Sequence, residues 1–464
     1  MAINPPLFPD HQTRQHSEAH LSHVLEMVRQ RTGGRSVAPD IDLDAFRRAL
    51  AEKTFDRPEE LDTLINWTIE SLKHGMVQMT HPGCFGLFNP SPSFAAECAD
   101  RIASAFNPQI CVWSHAPVAV EIEKHVIAHI AQRAGLPAGS GGHFTSGGAE
   151  ANNTALICAL SAASPDYAEQ GARAFAGQPR LYASAESHLA WLKIAHMNGI
   201  GRTAVRLIAT DGSGRMDQDA LAQTIKTDIT AGDVPVMIAA TAGTTNAGMV
   251  DPLNACADIA KRHSLWYHID AAWGGALIAS PKYRAVLDGL SRADSITIDA
   301  HKWFATTMGA GMFLTRKTAI LAQAFRVSTD YMPDSNVVDD YYVTSVQWSR
   351  RFVGLRLFLS LGAAGWDGYA RHMENAIQLM EHLITRLTAL GWTHENASSM
   401  AVGCFTPPKG ADPVEVIVER VVQSGKAWVS VARFEGRAVL RACVTNGHST
   451  MADIDILVDE ITKS

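Results

Sequence analysis

The chain has 464 residues, of which 47% are hydrophobic and 19% are charged, and its formal net charge at pH 7 is −7. These values are ordinary for a globular protein, and the lack of a long basic run argues against a nucleic-acid partner. No apolar run reaches the length of a membrane span, so the expected partner is a small molecule rather than a membrane.

The cysteines and the start of the chain indicate which cellular compartment to expect for the protein. Seven cysteines with irregular spacing and no CxxC pair argue against a disulfide framework and against a zinc site. The start of the chain lacks the basic and apolar regions of a secretory signal. We therefore expect a cytoplasmic protein with core thiols and no bound metal.

Residues 1–80 carry helical patterns, chiefly over residues 43–54 and 58–79, where apolar residues recur on one face. So short a segment cannot bury both sides of its helices by itself. We expect it to dock on the main body or on a second subunit, which favours an oligomer.

Residues 81–93, HPGCFGLFNPSPS, are rich in Gly, Pro and Asn and contain Phe85 and Phe88. Two interpretations are open for this stretch. It is either a surface loop anchored by two rings or a substrate-binding loop.

Four glycines between residues 141 and 148 precede a run of good helix formers. This arrangement exposes backbone N–H groups at a helix N-terminus, where a phosphate group binds well. The stretch is neither a P-loop nor a dinucleotide-binding fingerprint, because it contains no GK[ST] and no G-x-G-x-x-G. A plain glycine-rich turn is the competing interpretation.

Polar residues follow four predicted strands. Residues 180–184 lead to His188, residues 234–240 to Thr245, residues 265–269 to Asp270, and residues 295–298 to Asp299 and Lys302. Strands that alternate with helical stretches predict a doubly wound, mainly parallel α/β sheet, and the amphipathic stretch between the last two strands is predicted to be a helix. Parallel strands present their carboxyl ends at one edge, so these polar side chains are expected to face one cleft.

Lys302 and Asp270 suggest a particular cofactor. A lysine between a histidine and an aromatic residue can be buried and deprotonated enough to attack a carbonyl group. An aspartate in the same cleft suits a protonated ring nitrogen. Together they predict pyridoxal phosphate, held by Lys302 as a Schiff base, and an ordinary Asp–Lys ion pair is the competing interpretation.

Residues 326–345 break the α/β pattern with acids, a proline and three tyrosines. They form either an exposed connector or a lid that brings Tyr331 over the cleft. The chain then becomes helical to about residue 390 and ends in strand-like runs at 427–433 and 438–444, joined by a turn. This order predicts a small α+β C-terminal domain.

With these residues assembled, the chain resembles the group II pyridoxal-phosphate-dependent amino acid decarboxylases of the aromatic-L-amino-acid decarboxylase type. The motifs that keep the family's order and spacing are HP-x-x-F from His81, TSGGAEAN from Thr145, His188, Thr245, DAAWGGA from Asp270 and DAHKW from Asp299. The resemblance runs over nearly the whole chain. It implies a fold-type-I homodimer with shared active sites, built from an N-terminal helical segment (1–80), a large cofactor domain (81–355) and a small C-terminal domain (356–464).

The same resemblance implies roles for individual residues. Lys302 would bind the cofactor covalently, Asp270 would pair with its pyridine nitrogen, and His188 would stack on its ring. Thr245 and Ala272 would line the face of the cofactor.

Two further residues match the catalytic lid of the family. His301 lies beside the lysine and would help to position the lid. Tyr331 matches the loop tyrosine that returns a proton to Cα after carbon dioxide leaves. A phenylalanine at this position would instead indicate an aldehyde synthase.

The phosphate turn departs from the aromatic enzymes, which carry a serine at the position of Ala149. The side-chain contact of that serine is lost here. Phosphate binding would then depend on the backbone N–H groups of Gly147, Gly148 and Ala149, assisted by Ser146 or by residues of the partner subunit.

The substrate pocket departs further. Met79, Leu87 and Cys111 occupy positions that are aromatic in the animal enzymes, whereas Phe88 is retained. Gly354 lies where plant relatives carry Gly or Ser, and the Gly form goes with indolic substrates. No Arg or Lys occupies these positions, which argues against a glutamate-like substrate.

The resemblance therefore implies decarboxylation of an L-amino acid, with an aromatic substrate (tryptophan, phenylalanine, tyrosine or dihydroxyphenylalanine) expected. A diamino or other non-aromatic substrate and a decarboxylating aldehyde synthase are the alternatives within the fold. A catalytically silent scaffold is a different class, and the presence of Lys302, Asp270 and His188 argues against it.

Overall fold

The computed structural model describes residues 7–30, 34–327 and 340–463. The helices are α1 (His11–Gln30), α2 (Leu43–Ala51), α3 (Leu61–Gly75), α4 (Phe94–Phe106), α5 (Pro117–Arg133), α6 (Gly148–Ala163), α7 (Tyr167–Gln170), α8 (Ala190–Met197), α9 (Gln218–Thr230), α10 (Leu253–Arg262), α11 (Ala319–Phe325), α12 (Tyr341–Thr344), α13 (Gly354–Ala389), α14 (Val414–Gln423) and α15 (Met451–Thr462). The strands are β1 (Gly141–Thr145), β2 (Pro179–Ser184), β3 (Val205–Ile208), β4 (Val234–Thr241), β5 (Trp266–Asp270), β6 (Ser295–Asp299), β7 (Gly311–Thr315), β8 (Thr393–His394), β9 (Val402–Thr406), β10 (Ser430–Phe434) and β11 (Arg437–Cys443).

The larger sheet contains seven strands in the order β1-β7-β6-β5-β4-β2-β3. Strand β7 runs antiparallel to both neighbours, and the other strands all run in the opposite direction to it. The carboxyl ends of six strands therefore meet at one edge, which is where ligands bind in such sheets. This architecture confirms the predicted α/β class with a mainly parallel sheet.

Three strands meet in one row at that edge. Thr145, the last residue of β1, pairs with Gly311, the first residue of β7, and Gly311 also pairs with Asp299, the last residue of β6. We call this the Thr145–Gly311–Asp299 row. It places the glycine turn that follows β1 beside the turn that contains Lys302.

The central strands β5 and β6 consist entirely of buried residues. Strands that are covered on both faces read as continuous apolar runs, because neither face needs polar side chains. This is why the sequence located both strands to within one residue.

The crossover between β5 and β6 is not the helix that we predicted. It consists of three short 3-10 turns, Gly274–Ala279, Arg284–Leu287 and Leu290–Arg292. The first turn is buried throughout, and a Cβ on Gly275 would lie only 2.6 Å from Ile298 Cγ1 of β6. Glycine pairs are poor helix formers, and here they let the backbone approach the sheet more closely than a helix with side chains could.

The smaller sheet has four antiparallel strands in the order β10-β11-β9-β8. The predicted turn between β10 and β11 is present: Glu435 and Gly436 have φ values of +48° and +76° between the paired residues Phe434 and Arg437. Two consecutive residues with positive φ match the right-handed twist of a hairpin. Helix α13 packs beside this sheet and kinks at Gly365, where φ is +63°.

The three N-terminal helices α1, α2 and α3 contain no buried residues. Leu21, Leu25, Leu61 and Leu72 all expose more than a third of their surface. The apolar faces that predicted an oligomer are therefore uncovered in the single chain. In the part of the chain that the structure describes, no helix combines the length and the apolarity needed to cross a bilayer.

Three histidines lie among the packed residues of the fold. Burial lowers the pKa of His143 to about 3 and that of His268 and His372 to about 4. Each of these rings is therefore neutral in the folded protein at pH 7. Burial has the opposite effect on Asp251, whose carboxyl pKa it raises to about 6.

We predict that His143→Leu makes the fold less sensitive to acid. Both ring nitrogens of His143 are buried without a hydrogen-bond partner among the described residues, so protonation of this ring is unfavourable in the folded protein. The pKa of His143 is about 3 in the folded protein and about 6.5 in the unfolded chain, so the unfolded chain binds the proton more tightly. The free energy of unfolding therefore falls as the pH drops below about 6.5. Between about pH 6.5 and pH 5 this fall is about 2 kcal/mol, and His143→Leu should not show it.

Urea denaturation at about pH 7 and about pH 5 measures this difference. His196→Gln is the control, because His196 is exposed on α8 and its replacement should leave the pH dependence as it is in the parent. Equal losses of stability in the parent and in His143→Leu would contradict the prediction.

Candidate functional site

Lys302 lies in the tight turn that follows β6. Its backbone N–H donates to the Asp299 carbonyl at 3.2 Å, and its Nζ lies 3.1 Å from Asp299 Oδ2. The lysine side chain remains 21% exposed, so a ligand can reach the amine. The sequence interpretation made Asp270 the acid beside Lys302, whereas in the structure the ion-pair partner is Asp299.

The Asp299 carboxylate is only half satisfied. Its Oδ1 is buried and has no hydrogen-bond partner in the described part of the chain. Its Oδ2 contacts Lys302 and lies 3.8 Å from His301 Nε2. Leaving a buried carboxylate oxygen without a hydrogen-bond donor costs free energy. An unpaired oxygen of this kind is typical of a site that binds a ligand or a proton.

The glycine turn lies directly against this carboxylate. A Cβ on Gly148 would lie 3.0 Å from Asp299 Oδ2, and a Cβ on Gly311 would lie 2.6 Å from the carbonyl carbon of Gly147. A side chain at 311 would separate β7 from the turn, and a side chain at 148 would press on the Asp299 carboxylate. Glycine is therefore required at 311 by the close approach of two backbones and favoured at 148 by the contact with Asp299.

The turn opens the sixteen-residue helix α6 without a side-chain cap at Gly147. The first N–H groups of a helix have no partner inside the helix, and they carry the positive end of its dipole. Ser146 points its N–H and its hydroxyl to Glu150 Oε2, at 2.9 and 2.6 Å, rather than toward the open end of the helix. An anion at this point would be bound by backbone N–H groups, as predicted for Gly147, Gly148 and Ala149.

Asp270 is the last residue of β5 and is buried. Asn152 Nδ2 donates to its Oδ2 at 2.8 Å, and the backbone N–H of Ala272 donates to its Oδ1 at 3.1 Å. Donors to both oxygens favour the ionised form of a carboxyl group. Asp270 is therefore built as an acceptor, which suits a protonated ring nitrogen of a ligand.

The remaining predicted cofactor residues surround this edge of the sheet. His301 is buried; burial lowers its pKa, and its Nδ1 contacts the backbone of Ala310. His188 is exposed, and its Nδ1 accepts the Ala190 N–H at 3.1 Å, which places its proton on Nε2. Thr245 is also exposed, at the turn that follows β4.

Three aromatic rings stack behind Lys302. Phe88 packs on Trp273 with ring centroids 4.3 Å apart, and Trp273 packs on Trp303 at 4.4 Å. Lys302 Nζ lies 5.7 Å from the centroid of the Phe88 ring. The loop at residues 81–93 thus contributes Phe88 to the surroundings of the lysine. That the loop binds substrate stays a prediction.

Arg441 is a site residue that the sequence interpretation missed. It lies on β11 of the smaller sheet and is buried, and its guanidinium carbon is 4.7 Å from the Phe88 ring centroid. It donates to the carbonyl oxygens of Thr245 and Gly86 at 2.9 and 2.7 Å. No carboxylate of the described residues pairs with it, so a buried positive charge is left for a ligand. A single arginine inside a strand carries no local sequence signal of this role.

The other predicted substrate residues each have different neighbours in the single chain. Met79 contacts Cys84, Leu87 is 36% exposed, and Cys111 packs under Tyr342. That these residues line a substrate pocket therefore stays a prediction. Tyr331, the predicted proton donor, lies outside the described residues.

Gly354 is packed more tightly than a pocket lining would require. Its N–H donates to Glu123 Oε1 at 2.8 Å, and a Cβ would lie 2.5 Å from Glu123 Cγ and 2.7 Å from the Phe144 ring. Glu123 in turn forms a buried ion pair with Arg350 at 2.7 Å. A larger residue at 354 would displace this ion pair before it could shape a pocket.

The arrangement provides three groups for one ligand. It offers uncapped backbone N–H groups for a phosphate, the Lys302 amine for an aldehyde, and the Asp270 carboxylate for a protonated ring nitrogen. These groups fit pyridoxal phosphate, which carries all three functions.

Comparison with known proteins gives the same result. A family profile described as the pyridoxal-dependent decarboxylase conserved domain matches residues 44–401. The chain is 31% identical to L-2,4-diaminobutyrate decarboxylase of Rhizobium meliloti (strain 1021), over 85% of this chain and 80% of the relative, and 29% identical to aromatic-L-amino-acid decarboxylase of Bacillus atrophaeus, over 93% and 92%. The crystal structure of Oryza sativa TDC with PLP and tryptamine superposes with a TM-score of 0.92 at 25% identity and covers 99% of both chains.

Proposed function

The chain belongs to the pyridoxal-dependent decarboxylase family and is a carboxy-lyase that uses pyridoxal phosphate, and we propose that it converts an aromatic L-amino acid to the amine and carbon dioxide. One observation carries the choice of substrate. The Phe88 ring stacks on Trp273, and its centroid lies 5.7 Å from Lys302 Nζ and 4.7 Å from the Arg441 guanidinium carbon, so the lysine has aromatic rings and a buried positive charge as neighbours.

This surface suits a planar, uncharged side chain better than a second ammonium group. A diamino acid would bring another positive charge close to Arg441, which costs free energy in a buried setting. An uncharged aromatic side chain adds no such cost and can contact the small part of Phe88, 8% of its surface, that stays accessible. Arg441 is then free to bind the substrate carboxylate.

The residues divide the work of the reaction. The bound cofactor supplies an electron sink for the carbanion that forms at Cα. Lys302 would bind the aldehyde group of the cofactor. Asp270 would keep the proton on the ring nitrogen, and the N–H groups of Gly147, Gly148 and Ala149 would hold the phosphate in place.

Arg441 also favours a second candidate function. A buried guanidinium is the group that proteins use to bind carboxylates. If it binds a side-chain carboxylate, the substrate would be an acidic amino acid, and a relative named acidic amino acid decarboxylase GADL1 from Mus musculus is 28% identical over 90% of this chain. The earlier argument against a glutamate-like substrate considered only the pocket positions matched by sequence.

A substrate panel decides between these candidates. Carbon dioxide release should be fastest with one of tryptophan, phenylalanine, tyrosine or dihydroxyphenylalanine, because their side chains bring no second positive charge beside Lys302 and Arg441. The panel includes glutamate, aspartate and 2,4-diaminobutyrate, and the organic product is assayed as amine or aldehyde. A value of kcat/KM that is highest for an acidic or a diamino substrate would refute the aromatic assignment.

Arg441→Met should raise KM by about 10- to 100-fold, because a charge-assisted contact to a carboxylate contributes roughly 1.5–3 kcal/mol. If Arg441 binds the α-carboxylate, KM should rise for every substrate in the panel. If it binds a side-chain carboxylate, only acidic substrates should be affected. Arg433→Met is the matched control, since Arg433 is exposed in the same hairpin. A lowered melting temperature with unchanged KM would reduce Arg441 to a structural role.

Asp299→Asn should accelerate capture of pyridoxal phosphate by the cofactor-free protein by about tenfold, which corresponds to 1.36 kcal/mol. The substitution frees Lys302 from its ion pair and removes a negative charge that lies against the phosphate turn. Borohydride-trapped cofactor, followed over time by mass spectrometry, gives the rate. Lys302→Ala is the control and should trap nothing. Slower capture by Asp299→Asn would show that the carboxylate assists loading rather than opposing it.

We also propose that the protein is a homodimer in which α1, α2 and α3 dock on the partner subunit. Their lack of buried residues supports this, because exposed leucines on three successive helices are costly in water. Light scattering that detects only the 50.1 kDa monomer would contradict the proposal.

A further inference from the structure

We propose that Asn152 and His268 are positioning residues that hold Asp270 in its ionised, acceptor-only form through a hydrogen-bond chain of fixed direction. This inference rests on the proposed function, in which Asp270 keeps the ring nitrogen of the cofactor protonated. The chain begins at Trp266 and Ser295, which lie on the side of Asp270 that faces away from the ligand edge.

Strand geometry brings the members of the chain together. Trp266, His268 and Asp270 are alternate residues of β5, so their side chains leave the same face of the sheet. Helix α6 contributes Asn152 to this face, and the neighbouring strand β6 contributes Ser295. His268 and Ser295 are completely buried, and Asn152 is 2% exposed.

Four hydrogen bonds connect these side chains. They join Trp266 Nε1 to Ser295 Oγ at 2.9 Å, Ser295 Oγ to His268 Nδ1 at 2.8 Å, His268 Nε2 to Asn152 Oδ1 at 3.0 Å, and Asn152 Nδ2 to Asp270 Oδ2 at 2.8 Å. All four lengths are those of well-formed hydrogen bonds.

The direction of the chain follows from its last member. The carboxylate of Asp270 can only accept, and Asn152 Nδ2 donates to it, so Asn152 Oδ1 faces His268 Nε2. A neutral His268 then carries its proton on Nε2 and donates to Asn152 Oδ1, which leaves Nδ1 to accept the hydroxyl proton of Ser295. The indole N–H of Trp266 donates to a remaining lone pair of Ser295 Oγ.

The surroundings of His268 keep it neutral. Burial lowers its pKa to about 4, and Asp270 is the charged group that acts in the opposite direction. Trp191 packs edge-on against the ring at 5.7 Å, and Thr297 Oγ1 lies 3.4 Å from Nε2. Neither neighbour carries a charge that could reverse the chain.

The alternative is that the cluster merely satisfies buried polar groups. The two interpretations differ in what happens to Asp270 when the amide donor is removed. A buried carboxylate that loses a donor is expected to take up a proton, because burial favours the neutral form. A protonated Asp270 can no longer hold a proton on the ring nitrogen of a ligand.

The first experiment uses infrared spectroscopy on cofactor-free protein at pH 7. Asn152→Leu should show the carbonyl band of a protonated carboxylic acid that the parent lacks. The double variant Asn152→Leu with Asp270→Asn should lose that band, which assigns it to Asp270. Asn152→Leu without the band would overturn the proposal.

The second experiment compares two replacements of His268 in the holoenzyme. His268→Gln keeps an N–H donor for Asn152 and an oxygen acceptor for Ser295, whereas His268→Phe keeps neither. His268→Phe should lower kcat by about 10- to 100-fold at nearly constant KM, as loss of a supporting contact usually does, and His268→Gln should retain most of the parental kcat. Equal losses in both variants would overturn the proposal.

The two experiments also separate this inference from the proposed function. The infrared result needs neither cofactor nor substrate, so the band can appear even if the substrate panel fails. Conversely, a normal decarboxylase whose Asn152→Leu variant lacks the band would retain its function while the positioning chain is rejected.

Discussion

Backbone pairing across the Thr145–Gly311–Asp299 row sets the relative position of the phosphate turn and Lys302. The row fixes how far the uncapped end of α6 lies from the turn that carries Lys302. It depends on glycine at 311, where two backbones nearly touch, and on glycine at 148, which lies against the Asp299 carboxylate. A slip of one residue in the pairing of β6 with β7 would turn Asp299 to the opposite face of the sheet. Strand register, rather than loop conformation, therefore determines how the phosphate turn and Lys302 are placed relative to each other.

Two carboxylates end neighbouring parallel strands, yet their surroundings differ. Asp270 receives a donor on each oxygen, whereas Asp299 has a lysine on one oxygen and no partner in the described structure on the other. Buried ionised groups are stable only when they are paired and hydrogen-bonded. The protein thus stabilises one charge internally and leaves the other to be completed by what it binds, which is a common feature of functional sites.

Much of the fold and of the candidate site could be predicted from the sequence, because the informative features are local. The apolar runs of β5 and β6, the glycine turn and the motif around Lys302 each identify themselves without distant contacts, and the family and cofactor expected from them are confirmed. The prediction of a helix between β5 and β6 was wrong, because amphipathic spacing does not reveal how closely Gly275 approaches Ile298. Arg441 was missed because it reaches the site from the second sheet, and only tertiary packing brings β11 against Phe88. The roles assigned to His188, Thr245 and the substrate-pocket residues remain predictions, since no contact among the described residues tests them.

The environment of Gly354 limits how such a site can change over evolutionary time. Its hydrogen atom fills the space between Glu123 and Phe144, and its N–H donates to the Glu123 carboxylate that contacts Arg350. A mutation at 354 therefore acts first on this buried pair, whatever it does to substrate preference. Residues 123, 350 and 354 are expected to change together or not at all, so a lineage that diversifies its substrates at this position must pass through a coupled substitution. Single-residue exchanges between relatives would then be poor guides to specificity here, because the same residue has different effects on different backgrounds.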